Sequence, residues 1–119
     1  MGGRVALVVG SECTALPRLG FTDDLATGLY TELRGLGGWQ PATGIDGPLL
    51  DPTIDELVCA VDEAFDPASN RQATLLISFV GHGMTTAAEN FYLLAHDSPQ
   101  LPKLRNAFHL TQEIQERLN

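Results

Sequence analysis

Cysteine, basic residues and long apolar runs are all scarce in this sequence of 119 residues. Its two cysteines, Cys13 and Cys59, form no close pair, which excludes the usual redox and zinc motifs. Its 7 lysines and arginines are too few and too scattered to neutralise a run of phosphates. The formal net charge of -8 therefore argues against nucleic acid and anionic membranes as partners, and we interpret it as an aid to solubility.

No apolar stretch approaches the roughly 20 residues that a membrane-spanning helix needs. The first apolar run, residues 5–9, is too short for a secretory signal and leads into Gly10. The turn after it lacks the Gly-x-Gly-x-x-Gly pattern of a dinucleotide or phosphate loop. We expect no metal or cofactor, since His96 and His109 have no partner at ligand spacing. These features predict one compact, reduced, cytoplasmic domain.

Strand and helix signals alternate along the chain, which is typical of an α/β domain with a parallel sheet. Apolar runs at residues 4–9 and 73–80, each followed by glycine, predict two buried strands. Residues 39–45 predict a weak edge strand, because proline and glycine interrupt it. Residues 91–95 predict a short hairpin strand, and residues 111–118 predict a final helix.

Two longer helices are predicted between these strands. The first begins at Thr22 as its N-cap and presents leucines at helical spacing (Leu25, Leu29, Leu33 and Leu36). The second begins at Asp51-Pro52, a capping carboxylate followed by proline, and ends at Asp66-Pro67. Cys59 falls in its apolar stripe, so we expect it to lie in the core.

His82 follows the second buried strand and lies between Gly81 and Gly83. Ligands and reactive groups gather beyond the carboxyl ends of strands in an open parallel sheet. An imidazole placed there can act as a general acid or base near neutral pH, and the Gly83 N–H can point at a developing oxyanion. By composition alone, a single histidine in a glycine turn is more often structural than catalytic.

A hydrophobic strand that ends in Gly-His-Gly resembles the segment around the catalytic histidine of caspase-like cysteine peptidases. Further segments follow in the same order, from about residue 4 to residue 118, and the likeness is closest to bacterial caspase-like domains. CHAT-type peptidases share the histidine pattern. The matching segments are residues 5–10, the helix after Asp23-Asp24, residues 51–54, and residues 91–94 with Asp97.

This resemblance implies a three-layer α/β/α fold with a mainly parallel central sheet, of which residues 1–119 form the N-terminal, large-subunit part. It implies that His82 serves as acid and base for a cysteine nucleophile and that the Gly83 N–H belongs to the oxyanion hole. The implied partners are a peptide or protein substrate and a second chain or C-terminal remainder that carries the cysteine.

The nucleophile is where the chain departs from the family pattern. The family's cysteine follows the next core strand, and the sequence reaches Asn119 before such a strand. Cys13, in the loop after the first strand, has no adjacent lysine or arginine to stabilise a thiolate, and Glu12 would oppose one. It stays a second, less favoured choice. The chain alone is therefore expected to be inactive as a peptidase.

Two substrate preferences and two functions remain open. The resemblance implies that Arg18 stands in a place similar to that of a caspase arginine that holds a substrate aspartate. It equally implies that Asp23 or Asp24 could take the role of a metacaspase acidic residue that binds lysine or arginine. Interaction of the aspartates with the helix dipole is the favoured interpretation of those two residues, and a solvated loop position is the favoured one for Arg18. The first function is the histidine-bearing part of a cysteine endopeptidase. The alternative is a non-catalytic caspase-like module that acts by protein–protein association in a signalling complex.

Overall fold

The computed structural model describes residues 3–71, 73–85, 90–99 and 107–118, and for residues 67–71 the backbone alone. The described chain is a mixed α/β structure, which confirms the predicted class at that level. Its elements are β1 (Arg4–Ser11), α1 (Thr22–Gly35), β2 (Gln40–Pro41), β3 (Leu49–Leu50), α2 (Ile54–Arg71), β4 (Thr74–Gly81), β5 (Gly83–Thr85), β6 (Phe91–Leu93), β7 (Phe108–His109) and α3 (Leu110–Leu118).

The central strand of the parallel sheet is β1. It pairs with β4 along its whole length, from Arg4 opposite Thr74 to Ser11 opposite Gly81. The short strands β2 and β3 share the other side of β1 and pair near its two ends. Among the described strands β4 pairs with β1 alone, so its second side forms an edge of the sheet.

The edge strand predicted at residues 39–45 is shorter than expected. Only Gln40–Pro41 pairs with β1. The chain then leaves the sheet in a loop, where Asp46 accepts hydrogen bonds from Tyr30 Oη at 2.6 Å and Arg34 Nε at 2.9 Å. It returns to β1 only at β3. Anchoring of this loop to α1 is a tertiary contact that the local pattern does not encode.

Successive side chains of β1 point to opposite faces of the sheet, and a different helix covers each face. Val5 and Val9 belong to a core cluster with residues of α2. Val8 packs instead with Ala26 and Tyr30 of α1. The two helices therefore lie on opposite sides of β1.

The buried face of α1 differs from the predicted leucine stripe, of which Leu33 alone packs against the core cluster on this face. The buried residues are Thr22, Ala26 and Tyr30, whereas Leu25 is 54% exposed. The cause is the close approach of the helix to Gly10, where an added Cβ would lie 2.8 Å from the Ala26 Cβ. At that separation a small side chain fits against β1 and a leucine does not.

The start and end of α2 also differ from the prediction. Its cap is Thr53, whose N–H donates to Glu56 Oε1 at 2.9 Å while Oγ1 accepts the Glu56 N–H at 3.2 Å. This reciprocal pair is a capping box. Asp51 lies before it, with a φ of 49° and Oδ1 bound to the Glu12 N–H. The helix continues through Pro67, the predicted stop.

A small antiparallel sheet follows the central one. Gly83 of β5 lies opposite Leu93 of β6, so the predicted hairpin strand is confirmed. The final helix is confirmed as α3, one residue longer than predicted. Its Arg117 pairs with Asp62 of α2 at 2.7 Å, which joins the two helices.

Candidate active site

The carboxyl ends of β1 and β4 lie side by side, and the loops after them form the candidate site. Ser11 is opposite Gly81 at the last position of the ladder. The next residues, Glu12 and His82, therefore leave the sheet at the same level. A Cβ at Gly81 would lie 2.5 Å from Ser11 O, so glycine is needed for the strands to remain paired up to this edge.

His82 lies between β4 and β5 and is partly exposed. Its Nε2 is 3.0 Å from Pro17 O, in the loop after β1. A carbonyl oxygen only accepts, so this bond requires the proton on Nε2 and leaves Nδ1 as the acceptor of a neutral ring. An imidazole oriented by a third group is the arrangement that acid–base catalysis requires. No pattern in the sequence pointed to Pro17 as that group.

Gly83 is the first residue of β5, and its N–H points away from the neighbouring strand β6. The Leu94 N–H donates to His82 O at 3.0 Å. Because hydrogen-bonded and non-hydrogen-bonded pairs alternate, the next pair, Gly83 and Leu93, is non-hydrogen-bonded. The Gly83 N–H thus points away from β6, as a donor to an oxyanion must.

The loop between β1 and α1 is organised by the Glu12 carboxylate, which sequence reasoning missed. It accepts hydrogen bonds from Leu19 N at 2.9 Å, Gly20 N at 2.8 Å and Thr22 Oγ1 at 3.2 Å. Thr22 was predicted as the N-cap of α1, but its hydroxyl serves Glu12 and it is the first helical residue. Bonds from the Leu19 and Gly20 amides, in that order, hold the pKa of Glu12 below its ordinary 4.5.

Residues 94–98 cross the same edge and pack on this loop. The ring of His96 places Nδ1 3.2 Å from Glu12 O, and its backbone N–H donates to Pro52 O at 2.8 Å. His96 therefore joins three loops at the edge.

Neither cysteine lies at the candidate site as an available thiol. Cys13 is buried, and its Sγ donates to Ser98 O at 3.1 Å. Such a packed thiol is unreactive, which counts against the hypothesis that it is the nucleophile.

The core position predicted for Cys59 was wrong. Its residue is exposed and lines a cavity of about 310 Å³ between α2 and the loop before β3. The buried residues of α2 nearest to it are Leu57 and Val61. Two positions from each of them, Cys59 lies roughly opposite on the helix. Periodicity identified the helix but assigned this position to the wrong side.

The three residues predicted to select the substrate are all exposed. Arg18 lies in the loop held by Glu12, and its charge adds to the lowering of the Glu12 pKa. Asp23 and Asp24 lie in the first turn of α1. All three are reachable from solvent, as residues that contact a substrate side chain must be.

Within the described ranges, no group of 3 or more His, Cys, Asp or Glu side chains is arranged to hold a metal ion. No helix in this part of the chain has both the length and the apolar composition to cross a membrane. No family model matches the chain, and a search of curated proteins found no match to its sequence. Function is therefore proposed from the geometry at the carboxyl edge and from the order of motifs.

Proposed function

We propose that this chain is the histidine-bearing part of a caspase-like cysteine endopeptidase with a three-layer α/β/α fold. The observation that carries the proposal is His82, which leaves β4 at the carboxyl edge with its ring bound to Pro17 O. The positions of α1 and α2 on opposite faces of β1 support the three-layer arrangement. The family named in this proposal rests on the order of the sequence motifs around Gly-His-Gly.

In the proposed reaction a cysteine thiolate attacks the carbonyl carbon of the scissile peptide bond, and the carbonyl oxygen becomes an oxyanion. His82, in its imidazolium form, protonates the amine as the C–N bond breaks, leaving a thioester. The neutral ring then takes a proton from water through Nδ1 as the water attacks the thioester. The Gly83 N–H stabilises the oxyanion in both steps. The products are the amine, the carboxylic acid and the regenerated thiolate.

The nucleophile is proposed to come from a second chain or from sequence beyond Asn119. Cys13 is buried and Cys59 faces another part of the molecule. The edge of β4 supports this proposal, because its residues include no charge and no proline. Those are features by which permanently exposed edge strands are protected from pairing. A strand added there in parallel would end beside His82.

The substrate is proposed to be a peptide or protein, with the side chain before the scissile bond selected at the carboxyl edge. Arg18 would bind an acidic side chain through two parallel hydrogen bonds. Asp23 or Asp24 would bind a basic one. Arg18→Glu should abolish cleavage after acidic residues under the first preference and leave cleavage after basic residues intact under the second.

The peptidase proposal is tested on the product of the full natural reading frame that contains this chain. Hydrolysis of a peptide library is measured before and after thiol alkylation. His82→Ala should lower kcat/KM by about 10²–10⁴-fold. His109→Asn is the matched control, since His109 Nδ1 accepts the Gln112 N–H at the start of α3 and asparagine can cap a helix. Full activity in His82→Ala, or activity that survives alkylation, would refute the proposal.

A non-catalytic module that acts by association is the second candidate. The burial of Cys13 and the uncharged edge of β4 favour it, because among the described strands β4 has a partner on one side only, and such an edge can bind another chain by strand addition. A full reading frame without thiol-dependent cleavage would support this candidate. In that case a charge placed on the edge, such as Ser78→Lys, should abolish association while His82→Ala leaves it intact.

A further inference from the structure

We propose that Glu12 is the positioning residue for His82: its carboxylate anchors the loop whose Pro17 carbonyl holds the imidazole. The inference rests on the proposed function in calling His82 the acid and base. The structural coupling that it describes can be measured without any catalytic activity. It assigns a role to a carboxylate that the proposed reaction does not itself use.

The first observation is that Glu12 is a buried acid, only 8% exposed. Glutamate is almost never buried without partners, because loss of hydration disfavours the charge. The carboxylate compensates with neutral donors, namely the Leu19 and Gly20 amides and the Thr22 hydroxyl. All of them belong to the loop after β1 or to the first residue of α1. The Glu12 carboxylate therefore fixes the conformation of this loop.

The second observation is that the backbone of Glu12 is itself held on both sides. Its N–H donates to Asp51 Oδ1 at 2.9 Å, and its carbonyl oxygen lies 3.2 Å from His96 Nδ1. These partners lie before α2 and after β6, so two separate segments restrain the residue. Because the backbone of Glu12 is fixed in this way, its carboxylate can hold the loop in one position.

The third observation connects this anchor to the histidine. The loop is closed at its start by the Leu16 N–H, which donates to Cys13 O at 3.1 Å. It is closed at its end by the Glu12 bonds to Leu19 and Gly20. Pro17 lies between the two restraints. The position of its carbonyl, and hence of the bond to His82, depends on both of them.

The chemical consequence concerns the tautomer of His82. While Pro17 O accepts from Nε2, the neutral ring carries its proton on Nε2 and leaves Nδ1 able to accept one. If Glu12 releases the loop, Pro17 O loses its fixed position and both tautomers become populated. Only part of the enzyme would then have its histidine ready for proton transfer.

The first experiment uses the 15N-labelled chain at a pH where the three histidines are neutral, with long-range 1H–15N spectra to assign each tautomer. Wild type should show His82 as the Nε2–H form. Glu12→Gln should mix the two forms and speed solvent exchange of the Leu19 and Gly20 amides. Glu12→Asp keeps the charge but shortens the side chain by one methylene, so it should also mix the two tautomers and speed exchange of the two amides. This variant takes the place of Glu12→Gln if the glutamine variant fails to fold.

The matched control is Glu63→Gln. Glu63 Oε2 likewise accepts a loop amide, that of Gly44, but on the side of the molecule where α2 meets the loop before β3. It should leave the His82 tautomer unchanged. Faster exchange at Leu19 and Gly20 with an unchanged His82 tautomer in the Glu12 variants would overturn the inference. A wild-type His82 in the Nδ1–H form would overturn it as well.

The second experiment separates this inference from the peptidase proposal. In the full-frame peptidase, Glu12→Gln should lower kcat on the order of 10²-fold, the usual effect of a misplaced catalytic group, with KM unchanged. Full kcat in this variant of an active, His82-dependent enzyme would overturn the inference and leave the peptidase proposal intact. Absence of peptidase activity would refute the latter alone, because the tautomer shift is measured without substrate.

Discussion

Replacing Gly10 by alanine measures how closely α1 packs on β1. An added Cβ would lie 2.8 Å from the Ala26 Cβ, 2.9 Å from Thr22 O and 3.2 Å from Leu50 Cδ2. The separations from the Ala26 Cβ and from the Thr22 carbonyl oxygen are both shorter than a real Cβ tolerates, and the oxygen belongs to the backbone. No change of rotamer relieves both, so α1 must move away from the strand.

The expected cost follows from two opposing effects. Overpacking of a tightly packed core costs about 1–3 kcal/mol. Alanine also restricts the unfolded chain, which returns about 0.4–1 kcal/mol. With both effects at the middle of their ranges, we expect Gly10→Ala to lower the free energy of unfolding by about 1.3 kcal/mol.

Gly28→Ala is the matched control because it makes the same chemical change within α1 at an exposed position. A Cβ at Gly28 meets no atom within 4 Å. Alanine is the better helix former, so this variant should raise the free energy of unfolding by about 0.5–1 kcal/mol. The two substitutions are thus predicted to have opposite signs.

Urea unfolding followed by circular dichroism and by the fluorescence of Trp39, the single tryptophan, measures both variants. The midpoints should move in opposite directions with unchanged m-values. A Gly10→Ala protein as stable as wild type would refute the close approach of α1 to β1. Equal destabilisation by both substitutions would refute the assignment of the effect to packing.

Three further predictions concern charge and thiol exposure. The fold lowers the Glu12 pKa below its ordinary 4.5, so the ionised carboxylate stabilises the folded state fully above about that pH. This stabilisation is lost as the pH falls through the lower pKa of the folded state. Acid unfolding should therefore be less steep in Glu12→Gln, and an unchanged acid transition would contradict this. Burial, and then the hydrogen bond to Asp46, raise the pKa of Tyr30 to about 12. Asp46→Ala should therefore lower the Tyr30 pKa, measured by an absorbance titration of tyrosinate. An unchanged pKa would exclude the hydrogen bond as a cause. Alkylation followed by mass spectrometry should modify Cys59 in the folded protein and Cys13 only on unfolding, whereas equal rates would disprove the burial of Cys13.

Part of the candidate site was accessible from sequence because it depends on local signals. The apolar run at residues 73–80 predicted β4, and its end placed His82 beyond a strand. The partner of that histidine was not accessible in this way. His82 and Pro17 are 65 positions apart, and a backbone carbonyl leaves no mark in a sequence.

The failures in the helices have a related cause. Periodicity shows that a segment has an apolar side, but the distance to its neighbour decides which residues of that side are buried. In α1, the helix lies so close to Gly10 that the small Ala26 is buried there, whereas Leu25 is exposed. At α2 the cap passed from Asp51 to Thr53, because the Asp51 carboxylate binds the Glu12 amide of another loop.

Local sequence patterns were enough to predict the α/β class, the two long strands, the hairpin and the place of His82 at the carboxyl edge. Each follows from interactions between residues near in the chain, where hydrophobic spacing and glycine govern the backbone. The anchoring of the loop by Glu12 and the contact of Pro17 with the imidazole became evident only from the folded structure. Those contacts join segments far apart in sequence, and they form only once packing on β1 has brought the loops together.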